Sequence, residues 1–126
     1  MRLAIPHWQN RISPVLDVAG TFRLVDIDQG HIIREWDVPM DHALPLDRTR
    51  SLAGLGVDAV ICGAVSRQLE NALTGAGIEI LAQICGDVQR VIEAFLTGRL
   101  ESDVYRMPGC RRRRCSRFRG GRMHRR

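Results

Sequence analysis

Five side chains of this sequence are our candidate ligands for a transition metal, because thiolates and imidazoles are soft donors that iron–sulfur species accept as ligands. They are His7, Cys62, Cys85, Cys110 and Cys115. Long stretches of chain separate the first three, so no short motif such as CxxC gathers them and only the fold could do so. Whether these residues form a site therefore depends on the elements that carry them.

The pattern of apolar residues and glycines predicts eight elements in the order β-β-β-α-β-α-β-α. Two of the first three strands form a predicted hairpin across Gln29-Gly30, and helices and strands alternate after residue 47. The segment 11–20 mixes proline and glycine with apolar residues, which is typical of a structured loop or a single helical turn. The predicted strands are 2–6, 22–28, 31–39, 57–63 and 78–85, and the predicted helices are 47–56, 66–77 and 87–98.

The order of these elements restricts the arrangement of the strands. A leading hairpin followed by βαβα units predicts an α/β domain with a mixed sheet, whose later strands are parallel and covered by helices. Right-handed crossovers favour a five-stranded sheet in which the first strand is central. The hairpin is expected on one side of this strand, and the fourth and fifth strands on the other.

This arrangement would bring three soft ligands to one edge of the sheet. Ligands of open α/β sheets bind beyond the carboxyl ends of the strands. His7 follows the first strand there, and Cys62 and Cys85 end the fourth and fifth. We therefore predict a metal site formed by these three residues. A cysteine at the end of an apolar run is also typical of an inert buried side chain, so for both cysteines the two interpretations stay open.

Two loops at the same edge are candidates for further contacts with a bound group. The loop 62–67 leads from a strand into a helix, where backbone N–H groups favour an anion, although ordinary turn chemistry explains it equally well. The segment 10–17 is expected beside it, and an arginine there could balance the negative charge of a cluster. The predicted cofactor-binding residues are Asn10, Arg11, Ser13, Gly63 and Ser66.

Charge divides the chain into a domain, predicted as 1–105, and a flexible tail, predicted as 106–126. The net charge is +5, yet residues 1–105 contain nine arginines and fourteen acidic residues, whereas 106–126 contain ten arginines and no acid. A tail of this composition cannot form a core of its own. Three interpretations stay open: Cys110 and Cys115 bind a metal or cluster, the arginines bind nucleic-acid phosphates, or the tail docks on an acidic partner.

The sequence disfavours several classes of protein. No apolar run approaches the roughly 20 residues that cross a bilayer, and the N-terminal run is too short for a signal peptide, so we expect a cytoplasmic protein with reduced cysteines. A two-metal nuclease needs several carboxylates at strand ends. The first predicted strand has no acid, and the fourth has only Asp58, at its start. No catalytic triad or nucleotide-binding loop stands out, and we predict a protein that is not an enzyme.

Three blocks of the sequence resemble a known family. They are AIPHWQNRISPVLDVA, GVDAVICGAVSRQLENALTGAGIEI and GDVQRVIEAFLTGRL, and they follow one another within about residues 1–100. The chain is similar to the dinitrogenase iron-molybdenum cofactor biosynthesis family, which includes NifX-like proteins and the C-terminal domain of NifB-type proteins. The resemblance implies a three-layer α/β/α domain with a ribonuclease-H-like mixed sheet, in agreement with the predicted element order.

The resemblance also implies a function related to nitrogen fixation. Members of the family bind or carry iron–sulfur clusters and precursors of the iron–molybdenum cofactor. This chain is similar to the small stand-alone members, because it lacks the radical-SAM cysteine motif of NifB-type enzymes. We therefore predict a non-catalytic carrier of iron–sulfur or iron–molybdenum cofactor clusters that does not contact membranes. The alternative is an adaptor whose arginine-rich tail binds nucleic acid or protein and whose cysteines are structural.

Overall fold

A mixed β-sheet forms the centre of the computed structural model, which describes residues 1–41 and 43–98. Helices cover both of its faces, so the α/β class predicted from the sequence is confirmed. None of the helices in this part of the chain is long and apolar enough to cross a membrane. The strands are β1 (Arg2–Trp8), β2 (Arg11–Ile12), β3 (Thr21–Asp28), β4 (His31–Pro39), β5 (Ala59–Ile61) and β6 (Glu79–Leu81), and the helices are α1 (Pro45–Gly54), α2 (Arg67–Gly75) and α3 (Val88–Leu96).

The strand order is β4-β3-β1-β5-β6, with β1 in the centre. β1 is antiparallel to β3 and parallel to β5, and β6 is parallel to β5. This order confirms the prediction that the hairpin and the two later strands flank the first strand on opposite sides. The sequence analysis missed β2, which pairs with the end of β1 and makes the sheet six-stranded instead of five-stranded. A strand of two residues is too short to show an alternating pattern.

Capping side chains start two of the three helices. Ser66 Oγ accepts the Leu69 N–H at 3.1 Å at the start of α2, and Asp87 accepts the Arg90 N–H at 3.2 Å at the start of α3. These bonds satisfy backbone donors that have no partner within a helix. α1 begins instead at Pro45, a residue favoured in a first turn because its missing N–H needs no partner.

Two apolar clusters hold the three layers together, one on each face of the sheet. α1 and α2 pack on one face through side chains such as Leu73, and α3 packs on the other through side chains such as Val91. β1 contributes to both clusters, because successive side chains of a strand point to opposite faces. Leu3 and Ile5 face α3, whereas Ala4 faces the other two helices.

The predicted cysteine ligands fall in different parts of the chain. β5 and β6 are three residues each, shorter than predicted, so Cys62 follows directly after β5 and Cys85 lies in the loop between β6 and α3. Cys110 and Cys115 lie outside the described residues. The flexibility of the tail 106–126 and the domain boundary at residue 105 therefore stay predictions.

Candidate functional site

Backbone hydrogen bonds join the loops that follow β1 and β5. The Ala64 N–H donates to the Pro14 carbonyl at 2.7 Å, and the Leu16 N–H donates to the Ala64 carbonyl at 2.8 Å. Gly63 permits this junction, because a Cβ atom built on it would lie 2.5 Å from the Pro14 oxygen. The close approach of two backbone segments is therefore sufficient to explain glycine at this position.

An open pocket of about 440 Å³ lies at the same edge of the sheet, and we call it the β1 pocket. Small-molecule sites have volumes of roughly 300–1,000 Å³. The lining of the β1 pocket includes His7, Trp8, Ser13 and Val18. Trp8 is 70% exposed and Val18 is 77% exposed. Exposed apolar side chains grouped around one opening are typical of a binding site.

His7 lies at the end of β1 and is 8% exposed. Its Nε2 lies 3.0 Å from Asp37 Oδ1, and the same oxygen accepts a hydrogen bond from Arg23 Nε. Burial would raise the pKa of Asp37, but the hydrogen bonds from Arg23 and His7 outweigh it and hold this pKa below its ordinary value. The other ring nitrogen of His7, Nδ1, is buried and has no hydrogen-bond partner among the described residues. A neutral imidazole nitrogen of this kind can bind a metal.

A buried arginine places positive charge behind the β1 pocket. Arg48 is 5% exposed, and its Nη1 donates to the carbonyls of Leu16 at 3.1 Å and Ala19 at 2.8 Å. In the described part of the chain it forms no ion pair, and its Nε has no hydrogen-bond partner. Burial lowers the pKa of Arg48, and the charge of Asp17 opposes this shift. Because Ala19 lines the pocket, the guanidinium behind it favours an anionic ligand.

The protein's own carboxylate binds the helix N-terminus for which the sequence left both an external anion and ordinary turn chemistry open. Asp17 Oδ1 accepts the Ser66 N–H at 2.8 Å, and Asp17 Oδ2 accepts the Ser66 hydroxyl at 2.5 Å. Donors at the start of a helix favour negative charge, and Asp17 supplies it. The contacts of Ser66 are thus internal ones that link the 3-10 turn Leu16–Val18 to α2.

Cys62 and His7 lie at the same edge of the sheet but on opposite faces. Cys62 is fully buried among the apolar side chains that face α1 and α2, and burial raises the pKa of its thiol well above the ordinary range. Metal ligation needs the thiolate, which this burial disfavours. His7 follows Ile5 by two residues in β1 and therefore faces α3. These observations argue against Cys62 as a metal ligand.

Cys85 is partly exposed in the loop before α3. This loop is held to β2 by a hydrogen bond from the Ile12 N–H to the Gly86 carbonyl at 2.9 Å. Residues 1–41 and 43–98 contain no group of three or more His, Cys, Asp or Glu side chains arranged to hold a metal ion. The structure therefore does not gather the predicted set of one imidazole and two thiolates. These residues do not form a cage of cysteine ligands. They offer a single imidazole in an apolar pocket.

The structure brings one of the three predicted residues after β1 to the pocket. Ser13 is buried and lines it, while Asn10 and Arg11 are exposed. Asn10 connects other elements, because its Oδ1 accepts a hydrogen bond from Arg23 Nη2 at 2.9 Å. Its carbonyl accepts the Val88 N–H at 2.8 Å, at the first residue of α3. Asn10 therefore contacts residues around the site and does not line the pocket.

Three residues of the site were missed by the sequence analysis. Asp37 carried a signal, because the alternation of β4 puts it on the more polar face, where the hairpin register places it opposite Arg23. Trp8 carried a weaker signal as an aromatic residue at the end of a buried strand. Arg48 carried none, since a helical arginine is ordinarily exposed and its burial depends on where the 3-10 turn packs.

The fold is a small α/β/α domain whose pocket lies at the carboxyl edge of a mixed sheet, the edge where open α/β sheets bind ligands. The sequence profile of the family described as "Dinitrogenase iron-molybdenum cofactor" matches residues 1–98. The chain belongs to this family, which confirms the resemblance seen in its three sequence blocks. No curated protein matches the sequence.

Solved structures share this fold. A provisionally named dinitrogenase from Methanocaldococcus jannaschii superposes with a TM-score of 0.68 at 25% identity, covering 79% of this chain and 91% of that one. A provisionally named NifB protein from Thermotoga superposes with a TM-score of 0.62 at 27% identity, covering 78% and 89%. The apo form of the orange protein from Desulfovibrio gigas, at 22% identity, has a TM-score of 0.66 and coverages of 79% and 89%.

Proposed function

We propose that this protein is a non-catalytic carrier that binds iron–sulfur or iron–molybdenum cofactor clusters as cargo in the β1 pocket. The observation that carries the proposal is the composition of this pocket. It combines an exposed apolar rim, a buried arginine behind its wall and an imidazole with an unpaired nitrogen. An apolar opening beside positive charge suits a compact anion rich in sulfide.

Family membership supports a role related to the nitrogenase cofactor. The match to the family extends over residues 1–98 and so includes every residue that lines the β1 pocket. The Thermotoga neighbour, which carries a NifB name, covers 78% of this chain at 27% identity. The non-catalytic part of the proposal depends on the sequence, in which no set of catalytic residues stands out.

The donor atoms around the pocket suit reversible binding. Resident iron–sulfur clusters are held by several cysteine thiolates. Here the thiol of Cys62 is buried in hydrocarbon, and His7 is the side chain of the pocket lining with an unused metal-binding atom. A cluster held by one ligand bond, apolar contact and charge leaves more readily than a cluster held by a cysteine cage. Ready release is what a carrier requires.

The full chain can be loaded without oxygen with ferrous iron and sulfide, or with tetrathiomolybdate and ferrous iron. Gel filtration removes free metal, and visible absorbance with metal analysis measures what stays bound. We expect Val18→Glu to lower retention at least about tenfold, or about 1.4 kcal/mol, because a carboxylate on the pocket repels an anion. Ile33→Glu is the matched control, since Ile33 is also an exposed apolar residue but lies on β4, outside the pocket lining.

Cysteine substitutions refine this experiment. We expect Cys62→Ala to retain metal as the intact chain does, because a buried protonated thiol is no ligand. Loss of metal in the double variant Cys110→Ser and Cys115→Ser would add the tail thiols to the site. Equal loading of Val18→Glu and Ile33→Glu would exclude the β1 pocket, and no retention by the intact chain would exclude the carrier function.

The charge of the tail favours a second candidate function, that of an adaptor. Residues 106–126 contain ten arginines and no acidic residue, a composition that binds phosphates without choosing a sequence. RNA binding by the intact chain and by a chain ending at residue 105 can be compared at increasing salt. Affinity that falls steeply with salt and disappears with the tail supports the adaptor. Affinity that is insensitive to salt argues against it.

A further inference from the structure

We infer that Asp37 is a positioning residue for cargo binding, because it holds His7 in the tautomer whose Nδ1 offers a lone pair to a metal of the bound cluster. This inference rests on the proposed carrier function. It adds the protein atom that binds the metal and the side chain that orients that atom.

The three side chains involved come from three adjacent strands. Arg23 and Asp37 are opposite each other in the pairing of β3 with β4. The His7 ring reaches the same carboxylate from β1, with 3.0 Å between Nε2 and Asp37 Oδ1. Arg23 holds this carboxylate through Nε, and its Nη2 donates to Asn10 Oδ1 at 2.9 Å. Arg23 thus holds the acceptor for His7, and Asn10 in turn holds Arg23.

The chemistry of this contact determines which ring nitrogen carries the hydrogen. An ionised carboxylate accepts hydrogen bonds and donates none, and an arginine partner favours the ionised form. His7 Nε2 must therefore donate its N–H to Asp37, and Nδ1 of the neutral ring then carries the lone pair. Carboxylates orient metal-binding histidines in this way in many proteins.

His7 Nδ1 has no use within the described part of the chain. It is buried without a hydrogen-bond partner, although its ring lines the β1 pocket. Buried polar atoms nearly always have a partner, so an unpaired one in a pocket requires an explanation. Coordination to a metal provides the partner. Since Nδ1 is shielded from solvent, the metal reaches it after a rearrangement of the side chains that line the pocket.

The tautomer can be measured on the metal-free full chain labelled with 15N-histidine. Long-range 1H–15N correlation spectra at about pH 8, where imidazoles are neutral, distinguish the two tautomers, and His7→Gln assigns the signals. We expect a single pattern with the hydrogen on Nε2. In Asp37→Asn the amide can donate as well as accept, so we expect a mixture of tautomers. A hydrogen on Nδ1 of the intact chain would overturn the inference.

Ligation can be measured on the full chain loaded with ferrous iron and sulfide. Pulsed EPR of the reduced, labelled protein detects a histidine nitrogen bound to the cluster through its hyperfine coupling. We expect one coupled nitrogen, its loss in His7→Gln, and retention weaker by about tenfold or more in Asp37→Asn. His31→Gln is the matched control, because His31 is exposed at the start of β4, at the opposite edge of the sheet, and should change neither result.

The outcomes separate this inference from the proposed function. If the intact chain loads iron but shows no coupled nitrogen, or if His7→Gln loads equally well, the inference is wrong and the carrier function stands. If the intact chain retains no metal, both are wrong. Circular dichroism of each variant detects unfolding. Should Asp37→Asn unfold, the tautomer and the coupled nitrogen of the intact chain still decide the question.

Discussion

The amino edge of the sheet, where β1 begins, can be compared with the carboxyl edge, where β1 ends. At the amino edge, Arg2 donates to both carboxylate oxygens of Asp26 at 2.7 and 3.1 Å, and to the Leu55 carbonyl at 2.7 Å. Its guanidinium also lies 5.1 Å from the centre of the Trp36 ring. Asp58 accepts the Arg2 backbone N–H at 2.8 Å. Each of these charged groups has its partner within the fold.

The carboxyl edge has the opposite character. The buried side-chain atoms without a hydrogen-bond partner in the described part of the chain are His7 Nδ1, Arg48 Nε and Thr49 Oγ1, and the amino-edge residues contribute none of them. Two large apolar side chains, Trp8 and Val18, remain in solvent. Each buried polar atom without a partner lowers the stability of the fold relative to a paired one.

Under the proposed function, this contrast separates the residues that stabilise the fold from those that bind cargo along one strand. Polar groups that are fully paired stabilise the fold, whereas buried polar groups without a partner persist where a ligand can use them. Substitutions at the amino edge should therefore change stability and leave cargo retention alone. Substitutions in the lining of the β1 pocket should do the reverse. The predictions below test this division, from the largest expected effect to the smallest.

Gly63 lies at the carboxyl edge but outside the lining of the β1 pocket. Gly63→Ala should have the largest effect on stability, because it forces apart two backbone segments at this edge. The new Cβ would lie 2.5 Å from the Pro14 oxygen, and backbone atoms cannot move aside as a flexible side chain can. We expect a loss of about 1–3 kcal/mol in the free energy of unfolding, measured by urea denaturation. Gly75→Ala is the control: nothing lies within 4 Å of its added Cβ, and a gain of up to about 1 kcal/mol is expected. Equal effects would contradict the close approach.

Arg48→Met should separate binding from stability most clearly. Removing the buried charge relieves its desolvation but leaves the Ala19 carbonyl without its donor, whereas the Leu16 carbonyl keeps the Ala19 N–H at 3.3 Å. We therefore expect the free energy of unfolding to change by about 1 kcal/mol or less. Retention of the iron and sulfide probe should fall about tenfold, because the pocket loses its positive charge. Arg48→Lys keeps the charge and should retain most of the binding. Unchanged retention in Arg48→Met would show that this charge does not attract the cargo.

Asp26→Asn should alter the pH dependence of stability through the amino edge. The hydrogen bond from Arg2 holds the pKa of Asp26 below its ordinary value, against the opposing effect of burial. Because the pKa is lower in the folded chain, the stabilisation is complete above about pH 5 and is lost as the pH falls below about 4. The intact chain should therefore exceed the variant in urea midpoint at pH 7, and the difference should shrink at pH 3.

Asp28→Asn provides the control for this profile, since Asp28 is exposed two positions further along β3. Its urea midpoints should follow those of the intact chain at both pH values. Metal retention should be unchanged in both variants, because neither residue lines the β1 pocket. A loss of retention in Asp26→Asn would break the proposed division between the two edges.

Trp8→Ser should have the smallest effect on stability, about 0.5 kcal/mol or less, because the side chain is 70% exposed. Cargo should nevertheless leave faster, since the pocket loses its largest apolar surface, and the rate can be followed by transfer of iron to a chelator. Trp36→Ser is the comparison at the other tryptophan, which packs against the core, and should cost at least about 1 kcal/mol. Similar costs at both positions would contradict the assigned burial.

Much of the fold could be predicted because its signals are local. The predicted helices 47–56, 66–77 and 87–98 correspond to α1, α2 and α3. The strand order followed from the element order, since crossovers between parallel strands have one preferred hand. The candidate site was predicted less well. The sequence analysis placed His7 and Ser13 at the carboxyl edge of the sheet, where both line the β1 pocket. It also expected Cys62 beside His7, but Cys62 is buried in the apolar cluster on the other face.

The sequence by itself determined the order of the elements, the central position of β1 and the family, because each depends on patterns within short segments. Only the tertiary structure decided which face of the sheet each end residue takes. His7 and Cys62 lie at the same edge of the sheet. Because successive side chains of a strand point to opposite faces, His7 faces α3, whereas Cys62 lies in the apolar cluster beneath α1 and α2. The burial of Arg48 and the pairing of Asp37 with His7 likewise depend on contacts between distant segments, which no local pattern specifies.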